Sequence, residues 1–193
     1  MTSSFHSGRL AAAAVLALSL VGGCSAKVNV DPKPSRTAPR PVAAAPTLNA
    51  ADQSTVDSAW NGFLRLNSIY ITAAQTGVYD FDADVTKRPL YAYAGGPYMS
   101  ALERDLDLMR EAGLIRVGTP KVSLRRVVSV SPTSIVIEAC VDDTGTDTVL
   151  KATGKSVTKA GQNQRYPVTL RAGLYPDNRW RWVEARAERG SSC

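Results

Sequence analysis

Near residue 120 the apolar residues of this chain change their period from three-and-four to two, and that switch limits the fold more than any other feature. Before it, Val56, Trp60, Phe63, Leu64, Asn67, Tyr70, Ile71 and Ala74 recur along one face of a helix. Asn49 with Asp52, or Ser54 with Asp57, can cap its start, and Gly77 ends it. The spacing predicts a short helix near Asp82 or Asp84. A further helix opens at Pro97, carries Tyr98, Leu102, Asp105/Leu106 and Met109, and stops at Gly113 with Leu114 behind it. After Pro120 the chain alternates. Val122, Leu124, Arg126, Val128 and Val130 share one face; Ile135, Ile137, Ala139 and Val141 share the next. A shorter strand follows near Thr148–Thr153, then a polar loop from Gly154 through Gln164, and strands at Tyr166–Leu174 and Arg179–Arg186 finish the set. Helices followed by strands predict an α+β domain, helices packed on one face of an antiparallel sheet of four to five strands.

The domain occupies residues 51–193. Residues 1–23 read as an export leader: Arg9, then an almost wholly apolar run from Leu10 to Val21. That run is shorter than the ~20 residues needed to span a membrane. The stretch Val21-Gly22-Gly23-Cys24 resembles the bacterial lipobox, in which the cysteine thiol takes up diacylglycerol and becomes the first residue. Lipidation is therefore expected at Cys24, and the protein is expected on the outer face of the cell membrane, held there by its lipid. A plain secreted protein with a chance cysteine is the alternative. From Cys24 to residue 50 the chain is a Pro/Ala-rich tether, interrupted by Pro32, Pro34, Pro39, Pro41 and Pro46 and without a periodic apolar pattern. Extended, it would reach about 80 Å.

Charge and composition exclude several chemistries. The formal net charge is +6, but Lys and Arg are scattered, so no face is gathered for nucleic acid. The one histidine, His6, lies in the leader, which removes Ser-His-Asp and Cys-His catalysis and His-ligated zinc from the mature chain. Asp80, Asp82 and Asp84 miss the calcium-loop pattern, because Val85 and Tyr91 stand where Gly and Glu are needed. Gly95-Gly96-Pro97 lacks the remainder of a phosphate loop. No metal and no cofactor is expected.

With Cys24 taken by lipid, Cys140 and Cys193 remain, and export to an oxidising compartment predicts that they pair; two free thiols are the alternative. The candidate pocket consists of aromatics and carboxylates: Trp60, Tyr70, Tyr91, Tyr93, Tyr98, Asp105, Glu138 and Asp142. Aromatics with polar tips suit a small-ligand cleft, although they serve equally as core. Carboxylates in an apolar pocket suit acid–base work, although Arg125, Arg126, Arg171 and Arg181 stand ready to pair with them. Trp180 and Trp182 are expected on one strand face closing the core, with Arg181 outward.

The lipobox, the tether, Tyr91-Ala-Tyr93 before Gly95-Gly96, the strand ending Ala139-Cys140-Val141-Asp142 and the closing Trp180-Arg-Trp182 strand together resemble small actinobacterial lipoproteins of the NTF2-like, or SnoaL-like, superfamily. The resemblance implies a cone, with N-terminal helices on a strongly curved sheet. Enzymes of that superfamily carry a pocket Asp–His pair, which this mature chain lacks. The leading expectation is therefore a non-catalytic envelope binding module for a small ligand, wall component or protein partner. A carboxylate-based isomerase or hydrolase is the second reading. A surface interaction lipoprotein, such as one by which a prophage excludes a second phage, is the third.

Overall fold

The computed structural model describes residues 47–193. The leader, Cys24 and most of the tether lie outside the described residues. Two helices pack against antiparallel sheet, so the α+β class expected from the switch of period holds.

Helix α1 runs Ala50–Thr76. Its start is capped by Asn49, whose side chain accepts the backbone N–H of Asp52 at 2.8 Å. Its end is capped by Gly77 in the left-handed region at φ 70°, whose N–H reaches the Ala73 carbonyl at 2.8 Å. Two 3₁₀ turns follow, Val85–Lys87 and Pro89–Ala92, the first capped by the Asp84 side chain. Helix α2 is Gly96–Glu111, with Pro97 in its first turn.

Six strands complete the domain: β1 Leu114–Val117, β2 Lys121–Ser131, β3 Ser134–Asp142, β4 Asp147–Leu150, β5 Arg165–Leu174 and β6 Trp180–Ala187. The main sheet has the order β2-β3-β5-β6, antiparallel throughout, and β1 pairs with β4 in a separate two-stranded ribbon. Strand β1 is not foreseen from the sequence. Four residues straight after a helix C-cap show too few alternations to register as a strand; pairing with β4 makes them one.

β2 departs from simple alternation. Its register against β3 slips between Leu124 and Arg126 and again between Val127 and Ser129. Each slip is a bulge that adds one residue and turns the following side chains over. The inward set is thus Val122, Leu124, Val127 and Val130, which pack on the core, while Val128 is 39% exposed. On α1, Leu64 is likewise exposed and Leu66 is buried, because the buried stripe rotates along a helix of 27 residues.

The core joins Val56, Phe63 and Leu66 of α1, Met99 and Leu106 of α2, Ile135 and Ile137 of β3, and Leu170 of β5 to Trp182 of β6. Trp182 is 1% exposed. The interior between helices and sheet is therefore filled by side chains. Between the last turn of α1, Tyr79 and α2 the cavity measures about 10 Å³, room for about one water.

Cys140 lies on the face of β3 opposite Ile137 and Ala139, and it is bonded to Cys193 with a Cα–Cα distance of 5.9 Å. The tail is held further by Asn163, whose amide donates to the carbonyls of Arg189 and Ser191 at 3.1 and 2.7 Å. The crosslink spans 53 residues. In the chain-entropy account such a loop contributes about 4 kcal/mol. Reduction should therefore lower the urea midpoint of unfolding by that equivalent, and Cys193→Ser should match the reduced protein.

Candidate functional site

The sequence-derived residues do not meet in one pocket. Trp60 stacks on Phe63 with ring centroids 5.3 Å apart, and Phe63 meets Trp182 edge-on at 5.3 Å, so Trp60 belongs to the core margin. Tyr70 donates its phenol to Asp105, an exposed carboxylate on α2, and the Arg116 guanidinium sits 5.8 Å from the Tyr70 ring centre. Tyr98 packs against the core from the α2 side. Glu138 is on the outer face of β3, where Arg125 and Arg126 hold it at 2.7 and 3.0 Å. Asp142 ends the same strand and accepts from the Thr144 hydroxyl and N–H, which hold its carboxyl below the usual carboxylate range. None of the three carboxylates stands in a cavity as an acid–base catalyst would need.

Two buried polar arrangements escape the sequence reading. The first is Arg181, which was expected to point outward and is instead 2% exposed. Its guanidinium forks onto both oxygens of Asp177 at 2.9 and 2.7 Å, donates through Nε to the Tyr91 carbonyl at 2.7 Å, and lies between the rings of Tyr91 and Tyr175. Such a planar, weakly hydrated cation tolerates burial where its donors are used and its faces are stacked. This fork is the main reason the Asp177 carboxyl sits below its ordinary range. The second is Glu103 on α2, 9% exposed, which accepts from Arg88 at 2.8 Å and from the Tyr79 hydroxyl at 2.9 Å. Glu103 falls in the helical stripe Met99–Glu103–Leu106. A charge on an apolar stripe was the signal available for it.

Among the candidate residues, Tyr93 lines a surface groove beside the β5–β6 turn. The segment after α1 returns as an extra strand-like edge: the Trp182 N–H donates to the Tyr93 carbonyl and the Gly95 N–H to the Trp182 carbonyl, each at 2.9 Å. Gly95 must lack a side chain there, since a Cβ would fall 2.1 Å from the Tyr175 hydroxyl. Tyr93 is thereby set beside the β5–β6 turn. A surface groove of about 370 Å³ opens between Ser58 and Gly62 of α1, Tyr93, and Asn178, Arg179 and Trp180 of that turn. This falls within the ~300–1,000 Å³ of ordinary small-ligand sites. Its walls are two half-buried aromatics, and its rim is polar. It carries no nucleophile–base pair. Among the described residues, no group of three His, Cys, Asp or Glu side chains gathers that could hold a metal ion.

No family model matches the chain, and no curated protein matches it. Among solved structures it is similar to the intermembrane-space region of the chloroplast protein ARC6, with TM-score 0.44 and 14% identity over 75% of this chain and 99% of that one. It is similar to a nuclear transport factor 2 (NTF2-like) superfamily protein from Salmonella enterica, with TM-score 0.42 and 12% identity over 71% and 92%. It is also similar to a ketosteroid isomerase-like protein from Erwinia carotovora, with TM-score 0.38 and 14% identity over 74% and 95%.

Two outcomes test this description. Glu103→Gln should cost about 2–3 kcal/mol in urea unfolding, less than the ~3–5 kcal/mol of a fully buried pair because Arg88 keeps some contact with water; replacing both partners by apolar residues should recover most of that loss. Burial pushes the Tyr98 phenol from 10.0 up to about 12, and burial with the Asp143 hydrogen bond does the same for Tyr166. The fold favours the neutral phenol, so this contribution is complete below pH 10 and is lost as pH rises through about 12. Ultraviolet titration should show delayed tyrosine ionisation, with unfolding setting in over that window.

Proposed function

We propose that this chain is a lipid-anchored extracytoplasmic module that binds through its surface and performs no catalysis. The observation that carries the reading is the filled interior with the groove outside it. An enzyme of this architecture needs a cavity between helices and sheet to exclude water around the reacting atoms. Here that space is occupied by Phe63, Leu66, Ile137, Leu170 and Trp182, and the concave surface lies instead on the rim between α1 and β6. Recognition at a preformed, rigid groove needs no moving part.

The anchor rests on the leader and on Val21-Gly22-Gly23-Cys24. Two acyl chains at Cys24 hold far better than one, since each buried CH₂ contributes ~0.8 kcal/mol. The Cys140–Cys193 bond supports an oxidising compartment, where such crosslinks persist. The proline-bearing tether then serves as a spacer between the lipid and the domain.

The test is fractionation and binding together. Cys24→Ala should move the protein from the membrane fraction to the soluble one and abolish labelling by radioactive fatty acid. The wild-type chain should show saturable changes in tryptophan emission with envelope fragments, and no turnover of ester or isomerase substrates. Turnover that survives purification and is lost in Glu103→Gln would remove the reading.

A further inference from the structure

The groove between α1 and β6 has the chemistry of a site for one kind of ligand. Gly62 lies in the interior of α1, where glycine is among the poorest helix formers. Packing does not demand it: a Cβ there would meet Cδ1 of Tyr93 at 3.6 Å, an ordinary contact. What the missing side chain does is keep the floor of the groove open beside Tyr93. On the opposite wall, the turn holds Asn178 in the left-handed region at φ 58°, the one non-glycine residue there among the described residues. That turn is closed by Asn178 N–H to the Tyr175 carbonyl at 2.9 Å and Tyr175 N–H to the Arg179 carbonyl at 3.0 Å. The rim is thus presented by a rigid turn.

Arg179 is the charge at this rim. The nearby Asp177 is forked by Arg181 on both oxygens and accepts the Arg179 backbone N–H at 3.3 Å; the Arg179 charge helps to lower that carboxyl, but among the described residues the guanidinium itself makes no ion pair. A fully apolar occupant would bury Arg179, the Asn178 amide and the Ser58 hydroxyl without partners, which is costly. A cation would be repelled. The occupant that satisfies two aromatic walls, a hydroxyl, an amide and a free guanidinium has a C–H face, hydroxyls on its edge and a carboxylate.

We infer that the groove binds an acidic sugar ring, a carboxylated pyranose of an envelope glycan. The ring lies against Tyr93 and Trp180, its carboxylate on Arg179 and its hydroxyls on Asn178 and Ser58. The inference deepens the surface-binding function proposed above and rests on it.

The experiment titrates the full acylated chain in detergent micelles with trigalacturonic acid, with its methyl ester, and with a panel of neutral wall fragments, following tryptophan emission and amide chemical shifts. The acid should bind at least about tenfold tighter than the ester, a difference of about 1.4 kcal/mol. Arg179→Gln should reduce the acid to the affinity of the ester. Gly62→Gln, which suits a helix, should weaken both ligands with an unchanged circular dichroism spectrum. Equal binding of acid and ester, or an acid preference that survives Arg179→Gln, overturns the inference. Shifts at Trp180 from neutral fragments alone overturn the ligand class while leaving surface binding standing. No saturable response to any of them overturns both.

Discussion

The structure turns on Trp182. Its indole N–H donates to the Ala59 carbonyl of α1 at 3.2 Å, its ring meets Phe63, and its backbone bonds both ways with the segment Tyr93–Gly95. One residue of the last edge strand thus fastens the first helix, the loop before the second helix and the main sheet to one another. Removing such a ring from a filled core costs about 3–5 kcal/mol, before the loss of the bonds its backbone steers. The groove inherits its shape from this anchor. Ser58 and Gly62 flank Ala59 on α1, Tyr93 is the acceptor of the Trp182 amide, and Trp180 precedes it by two residues. Trp182 thus ties α1 and Tyr93 to the strand that carries Trp180, while the turn bearing Asn178 and Arg179 is closed by its own backbone bonds.

A second consequence is the placing of Arg181. Because Trp182 faces the core, its neighbour would ordinarily face water. The 91–95 segment and the β5–β6 turn close over that position, and Tyr91, Tyr175 and Asp177 supply faces and oxygens for the guanidinium. The burial is tolerable because Nε and both terminal nitrogens are engaged. It also engages both oxygens of Asp177, so that the Arg179 guanidinium forms no ion pair there among the described residues, although its charge still helps to lower the Asp177 carboxyl. The groove's electrostatics therefore follow from an ion pair that is not part of it.

The opposite face of the main sheet tells a different story. Glu138, Arg125, Arg126, Arg171 and Glu184 pair with one another across strands at about 3 Å or less. Pairs of this exposure contribute little to stability, and they present a surface of nearly balanced sign. The register slip between Leu124 and Arg126 leaves Arg125 as the extra residue beside Arg126, and both guanidinium groups reach the single carboxylate of Glu138.

How much of this was legible depends on distance along the chain. Caps, turns and periods are local, so Asn49, Asp84, Pro97 and Gly77 announced their helices, and the alternation in 135–141 and 166–174 announced its strands. The pairing of Cys140 with Cys193 was legible by elimination. What the sequence by itself determined is the α+β order of elements and the chemical inventory, including the lack of any histidine after His6. Only the tertiary structure decided that Glu103 rather than Asp105 is the buried carboxylate, that Arg181 turns inward, that two bulges rotate β2, and that Tyr93 meets Asn178, Arg179 and Trp180 over Gly62. The physical reason is that burial of a charge, or the facing of a bulged strand, depends on partners 15 to 90 residues away, and no window of local propensity contains them.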